Sequence, residues 1–252
     1  MSLCFTTSWD DGHPLDQRLA DLLDRHGCAG TFYVPARNRE GLPVMAAAAL
    51  RALDCGFEIG SHTLDHVYAD RVSAPAWAQQ VKAGRRALED QLGHAVAGFC
   101  YPGGRFDPQS VEAVRAAGFS YARSVCNLHL GAGTDRFRLP TTLQIYPHSR
   151  AVLLRNWLRG PQRLARWPIA RAALSSNDWQ RRCLALLQLA CETDQPCHFW
   201  GHAWEIEARG LWSALDEVLR QAAALVPAAQ RWTNAQLAAS LPADAVQRGQ
   251  VA

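Results

Sequence analysis

The sequence predicts an α/β protein in which helices cover a parallel β-sheet. Short apolar runs alternate with stretches of helical periodicity through the first half of the chain, the order that builds βαβ units. The chain has 252 residues, close to the roughly 250 of a (β/α) barrel. No Gly/Ser linker, low-complexity tract or internal repeat marks a boundary, so residues 1–241 are expected to form a single domain and 242–252 a C-terminal tail.

The elements follow in order. Leu3–Thr7 is an apolar and β-branched run and reads as the first strand. Leu15, Leu19, Leu22 and Leu23 then fall at helical spacing, and Thr31–Val34 reads as the second strand. A helix near Pro43–Leu53 precedes a strand at Phe57–Ile59. Pro75 opens a long helix to Leu92, Ala97–Tyr101 is a strand, and Pro108–Ala117 is a helix closed by Gly118. After Tyr121 the pattern weakens: Arg123–Leu139 reads as loop and short strand, and Ala151–Leu174 as helix broken at Gly160-Pro161 and at Pro168. It recovers in a helix over Asp178–Cys191, a strand at Cys197–Trp200, a helix over Leu211–Leu225 and a last helix to Leu241, N-capped by Thr233.

Composition sets outer limits. With 48% hydrophobic and 19% charged residues, the chain is an ordinary globular protein, not a disordered or fibrous one. No apolar run reaches the ~18 residues of a membrane span. The N-terminus lacks the basic start and apolar core of a secretory signal, and a cytoplasmic location is expected. Eight cysteines (4, 28, 55, 100, 126, 183, 191 and 197) show no C-x-x-C spacing; reduced, mostly buried thiols are expected.

Four segments that follow strand-like runs carry chemistry. Ser8-Trp9-Asp10-Asp11-Gly12 sets two carboxylates after the first strand, where parallel α/β proteins gather functional groups, although Asp-Asp-Gly is also ordinary turn chemistry. Ser61-His62-Thr63-Leu64-Asp65-His66 spaces two histidines four apart, a spacing that suits a metal clamp and also occurs as a plain surface pair. Two imidazoles with one carboxylate, from Asp10 or Asp11, leave a coordination position for water, as in a catalytic divalent site, and the second carboxylate is then available as a base. Tyr101-Pro102-Gly103-Gly104-Arg105 offers backbone N–H groups to an oxyanion or is a simple Pro-Gly turn. In Trp200-Gly201-His202-Ala203-Trp204-Glu205 a histidine stands between indoles, either as a general acid or as a packed core residue.

Together these segments resemble the polysaccharide deacetylase family, also called the NodB-homology fold or carbohydrate esterase family four, over roughly Leu3 to Leu241. The family's T-F-D-D-G motif stands here as Ser8-Trp9-Asp10-Asp11-Gly12, which implies Asp10 as catalytic base and Asp11 as metal ligand. Its H-[ST]-x-x-H motif matches His62 and His66, which would complete the metal site. Its third motif matches through Pro102 and Gly104 and puts the Gly103 N–H at the oxyanion. Cys100 stands where many members carry an arginine that orients the base, and Arg105 is the substitute the sequence offers. The final leucine-x-histidine motif appears as Trp200-Gly201-His202, implying His202 as the acid that protonates the leaving amine. The family's aspartate-tryptophan motif has no counterpart, because Asp178-Trp179 opens a helix. The fold implied is a distorted, incomplete (β/α) barrel of about seven parallel strands.

The resemblance implies a metal-dependent hydrolase that removes an N-acetyl group from a sugar and releases acetate, with one divalent ion, zinc or alternatively cobalt or nickel. Tyr101, Gly103, Arg105, Trp200, Trp204 and Glu205 are the expected oxyanion and substrate contacts. A hydrolase of a non-sugar amide and a non-catalytic sugar-binding homologue are the rival readings. Between Arg150 and Arg182 lie eight arginines and a single acid, Asp178, with Trp157, Trp167 and Trp179 interleaved. This segment is either a solvated helix face or a surface for a phosphate- or lipid-linked sugar at the inner membrane face. No nucleic-acid motif accompanies the charge, and no nucleic-acid partner is expected.

Overall fold

Strand β1, Phe5–Asp10, is buried along its whole length, because a neighbour pairs on each edge and helices cover the sheet. On one edge β7 (Cys197–Gly201) runs in register from Phe5↔Cys197 to Trp9↔Gly201. The other edge is shared: β2 (Thr31–Val34) pairs with Ser8–Asp10, and the two-residue β8 (Arg231–Trp232) pairs with Phe5 and Thr6. From β2 the sheet continues through β3 (Glu58–Ser61) and β4 (Gly98–Cys100) to β5 (Tyr121–Arg123), and from β7 to β6 (Leu143–Gln144). Every pairing is parallel, and among the described residues β5 and β6 do not pair, so the sheet is an open half-barrel of seven strands in the order β5-β4-β3-β2-β1-β7-β6, with β8 as a side branch. This computed structural model describes residues 2–160 and 162–242; the expected tail lies, from 243 onward, outside the described residues.

The helices form where periodicity and caps coincide. In α1 (Asp16–Arg25) the buried face is Leu19, Ala20, Leu22 and Leu23, each leucine contributing about 1.5–3 kcal/mol by leaving water. The helix α2 (Ala47–Asp54) turns Leu50 and Leu53 inward. Ser73 caps α3 (Ala74–Leu92), which has proline in its first turn and ends at Gly93 with φ 79°. Asp107 caps α4 (Pro108–Ala116), accepting from the N–H of Ser110. A full capping box, Thr233 with Gln236, starts the last helix, α10 (Asn234–Ala239). The remaining helices are α5 (Arg150–Arg159), α6 (Trp167–Leu174), α7 (Trp179–Glu192), α8 (Ala203–Ala208) and α9 (Trp212–Leu225).

Three differences from expectation matter for the site. The first strand runs on to include Asp10, so that side chain is held by the sheet rather than by a turn. Strand β5 lies where the pattern begins to weaken, at Tyr121–Arg123, and α8 follows β7 directly. Pro168 does not break a helix but sits in the first turn of α6, where its missing N–H costs nothing. The basic segment therefore folds as two short helices and the start of α7, and two of its arginines turn inward. Arg166 donates to the carbonyls of Asn127, Leu128 and Trp157, and Arg182 to those of His148 and Ser176. The cysteines are unpaired, and five of them, Cys4, Cys28, Cys100, Cys183 and Cys197, are buried. Among the described residues no helix is long and apolar enough to cross a membrane.

Candidate active site

The C-terminal ends of the strands converge on one side of the half-barrel. Asp10 is the last residue of β1 and Asp11 the next; His62 follows β3, Cys100 ends β4, Arg123 ends β5 and His202 follows β7. Side chains that leave the sheet at these points face a common space, which is why parallel α/β folds place chemistry there.

Asp11, His62 and His66 form a compact trio whose ligand atoms lie within 4.8 Å of one another. The Oδ1 of Asp11 is 3.2 Å from His66 Nε2 and 3.8 Å from His62 Nε2, and it accepts no hydrogen bond among the described residues. Two imidazole nitrogens aimed at a bare, buried carboxylate oxygen are the donor set of a divalent ion, and the residues present fit one. His62 is fixed by its Nδ1, 2.8 Å from the Cys100 carbonyl, which leaves Nε2 as the ligand atom. Burial pushes the His62 imidazole down to about 4, so it is neutral and able to coordinate. Burial by itself would raise Asp11, but the adjacent His66, His202 and His62 hold its carboxyl well below the usual range. Asp11 and His66 have φ of 82° and 54°, left-handed values that cost energy for residues other than glycine and cluster where function over-determines the backbone.

The histidine loop is braced from outside. Asp65 accepts from Arg37 and Arg39, each at 2.7 Å, and from Gln80 at 2.8 Å. Helix α3 rests on the loop through Gly84, where a Cβ would lie 2.5 Å from the backbone carbon of Thr63.

Asp10 has a different environment. Its Oδ1 receives Arg123 Nη2, and Cys100 Sγ stands 3.7 Å from its Oδ2. Arg123 is fully buried, with its guanidinium 4.8 Å from the Trp200 ring and 5.3 Å from that of Tyr33. The arginine beside Asp10 is therefore Arg123, whereas Arg105, the substitute the sequence offered, turns outward to Asp70 at 3.0 Å and packs over Tyr68. Asp10, His62 and Cys100 also lie within ligand distance of one another, but burial keeps the Cys100 thiol protonated well above its ordinary value.

The turn after β4 is a tight glycine pair. Gly103 and Gly104 have φ of 61° and 63°, and a Cβ on Gly104 would meet Val125 at 1.8 Å. Gly103 is exposed at the rim, against Tyr68. Tyr101 departs from expectation: its side chain is fully buried, with its hydroxyl donating to the Phe137 carbonyl at 3.1 Å and its ring against Phe99 and Phe106. An aromatic ring at that position gains more from the core than from the cleft, so Tyr101 offers no side-chain contact to a ligand.

His202 stands on the opposite side of Asp11, with Nε2 3.9 Å from Oδ2. Its Nδ1 is 2.5 Å from Glu205 Oε2, one turn along α8. Burial opposes charging of this imidazole, but the Glu205 bond and the Asp11 and Asp10 carboxylates raise it to about 9. Glu205, expected as a pocket wall, is thus the group that orients His202, while Asp178 caps α7. Trp204 Nε1 donates to Asp11 Oδ2 at 2.9 Å, and Trp200 Nε1 to Asn127 at 2.9 Å. Asp16, which no motif singled out, is fully buried near Asp11; burial and then the charge of Asp11 raise its carboxyl well above the ordinary value.

Comparison with known proteins adds to this geometry. Residues 3–122 match the polysaccharide deacetylase family, a span that includes Asp10, Asp11, His62, His66 and Gly103 and stops one residue before Arg123. Over 61 residues the chain is 38% identical to a protein of Arthroderma benhamiae named probable peptidoglycan-N-acetylglucosamine deacetylase, covering 23% of this chain and 14% of that relative's length. A family 4 acetyl xylan esterase from Clostridium thermocellum, solved with a cobalt ion, superposes with a TM-score of 0.59 at 16% identity, covering 97% of this chain and 95% of that one. The Xyl-CE4 domain of a multidomain xylanase from the hindgut metagenome of Trinervitermes trinervoides gives 0.55 at 13% identity, covering 94% and 89%. At these identities the likeness to the solved structures establishes the fold, the half-barrel described above.

Proposed function

Since residues 3–122 belong to the polysaccharide deacetylase family, we propose that this chain is a metal-dependent hydrolase that removes an N-acetyl group from a sugar and releases acetate. The observation that carries the reading is the placement of three distinct units around one space: the Asp11–His62–His66 trio, the Asp10–Arg123 pair and the His202–Glu205 pair. Asp11, His62 and His66 would hold a divalent ion, zinc or alternatively cobalt or nickel, and such an ion supplies Lewis acidity toward an amide oxygen and a water.

The remaining work falls to the chain's own groups. Asp10, oriented by Arg123, takes the proton of the attacking water as its oxygen bonds to the acetyl carbon. The Gly103 N–H at the rim donates to the carbonyl oxygen as it gains charge. His202, protonated through the neutral range, gives its proton to the sugar nitrogen as the C–N bond breaks, leaving a free amine and acetate. A nitrogen leaving group needs that proton more than an ester oxygen does, which favours N-acetyl over O-acetyl substrates. Trp200, Trp204 and the Tyr68–Arg105 rim supply the flat, polar-edged walls that sugars pack on.

The test is acetate release from a panel of N-acetylated and O-acetylated sugars by metal-loaded and chelator-treated protein. Metal-dependent release from an N-acetylated sugar is expected. Stoichiometric metal with no release from any sugar would overturn the reading in favour of a non-sugar amide or a binding role.

The Glu205 bond gives a pH prediction. His202 is raised above its ordinary 6.5 to about 9, so its acid form, and the stability gained from its charged contacts, are present below about 6.5 and lost as pH climbs through about 9. In Glu205→Gln the neutral partner no longer stabilises the imidazolium. The alkaline limb of kcat/KM is then expected to move to lower pH, with the acid limb in place. An unmoved alkaline limb would separate His202 from the proton delivery.

A further inference from the structure

A cleft of about 440 Å³ runs from the Gly103 turn and Trp200 along the inner side of α5. Three arginines line it, Arg155, Arg159 and Arg166, and among the described residues no aspartate or glutamate does. Arg166 is committed to backbone carbonyls. Arg155 and Arg159 are exposed and one helical turn apart, and neither has a hydrogen bond or ion pair with any described residue. Like charges at i and i+4 repel, and an arginine pair left without a carboxylate keeps its planar donor forks free.

The cleft also touches the candidate machinery. Gln144 lines it and donates to Glu205 Oε2 at 3.1 Å, the oxygen that holds His202. Trp200 lines it too, with its ring 5.6 Å from that of His202. The cleft thus adjoins the candidate site, separated from His202 by the side chains of Gln144 and Trp200.

We propose that this cleft is an anion subsite in which Arg155 and Arg159 hold a phosphate or carboxylate group carried by the sugar substrate. Both groups present coplanar or tripodal oxygens that a guanidinium fork binds through paired, charge-assisted hydrogen bonds. The proposal rests on the deacetylase reading only for the identity of the sugar; the binding of the anion stands on the cleft itself.

Calorimetric titration tests it with four probes: a neutral N-acetylated sugar, its 1-phosphate, an N-acetylated sugar carboxylate of similar size, and inorganic phosphate. Each is titrated into the metal-loaded protein, into Arg155→Gln/Arg159→Gln, and into Arg163→Gln/Arg171→Gln, which removes the same charge from exposed positions outside the cleft. At least one anionic sugar is expected to bind about tenfold or more tightly than the neutral one. That advantage should vanish in the first double variant and persist in the second, and the tighter of the two anionic sugars identifies phosphate or carboxylate as the group held. Equal affinity for neutral and anionic sugars, no binding of any probe, or the same loss in both double variants would overturn the subsite. Acetate release is measured separately: anion binding without release contradicts the deacetylase reading alone, and release from neutral sugars with no anion preference contradicts the subsite alone.

Discussion

Arg123→Met is expected to cost about 3–5 kcal/mol of folding stability, because it leaves the buried Asp10 carboxylate without its compensating charge. The apolar replacement keeps most of the volume between the Tyr33 and Trp200 rings, so the loss is one of charge compensation rather than of packing. Turnover is expected to fall by roughly 10²-fold or more, since a base displaced by even an ångström loses its alignment with the water it deprotonates. Arg123→Lys keeps the charge without the planar fork and should lie between the two. Urea denaturation gives the first quantity and acetate release the second, with metal content as the control. A well-folded Arg123→Met with undiminished turnover would remove Arg123 from the positioning of Asp10.

Asp10→Asn is expected to lower turnover by roughly 10²–10⁴-fold while one metal ion stays bound, because the amide keeps the shape of the side chain but cannot take a proton. Asp11→Asn is expected to lose both metal and turnover. The contrast also separates the two donor sets that lie within ligand distance, Asp11–His62–His66 and Asp10–His62–Cys100. If the first holds the ion, metal at about 100 times its dissociation constant stabilises Asp10→Asn by about 2.7 kcal/mol and Asp11→Asn hardly at all. Metal lost from Asp10→Asn and retained by Asp11→Asn would assign the ion to the second set and take away the case for Asp10 as base. Elemental analysis and thermal unfolding with and without metal decide between them.

Much of this protein was legible before folding. The alternation of apolar runs and helical stretches predicted the parallel sheet, and β2, at Thr31–Val34, falls where the sequence put it. The Asp10-Asp11 step and the His62–His66 pair are visible in the sequence, but an irregular loop with Thr63 and His66 left-handed, not a helical turn, brings the two histidines together. Glu205 stood out in the sequence as a substrate contact, but its place beside His202 Nδ1 was not legible, because it depends on the short helix α8, which no pattern announced. Tyr101 was misplaced because Cys100 before it turns to Asp10, while its own ring alternates to the other side and packs on Phe99 and Phe106. Arg123 was missed because its strand is three residues long and lies where periodicity is weakest.

Legible in the chain alone were the alternation of strands and helices through its first half, the two carboxylates and two histidines after strands, and the surplus of arginine between residues 150 and 182. Those features are composition and short-range pattern, which can be read without knowing what each side chain meets across the fold. Long-range packing is what brings Arg123 to Asp10 and Trp204 to Asp11, and what leaves Arg155 and Arg159 without a partner among the described residues. Asp10 and Arg123 sit on β1 and β5, four places apart in the sheet order, and a flat sheet would keep them well beyond hydrogen-bond reach. Strand twist curls the sheet into a half-barrel and draws those ends together, a long-range geometry that no local spacing encodes.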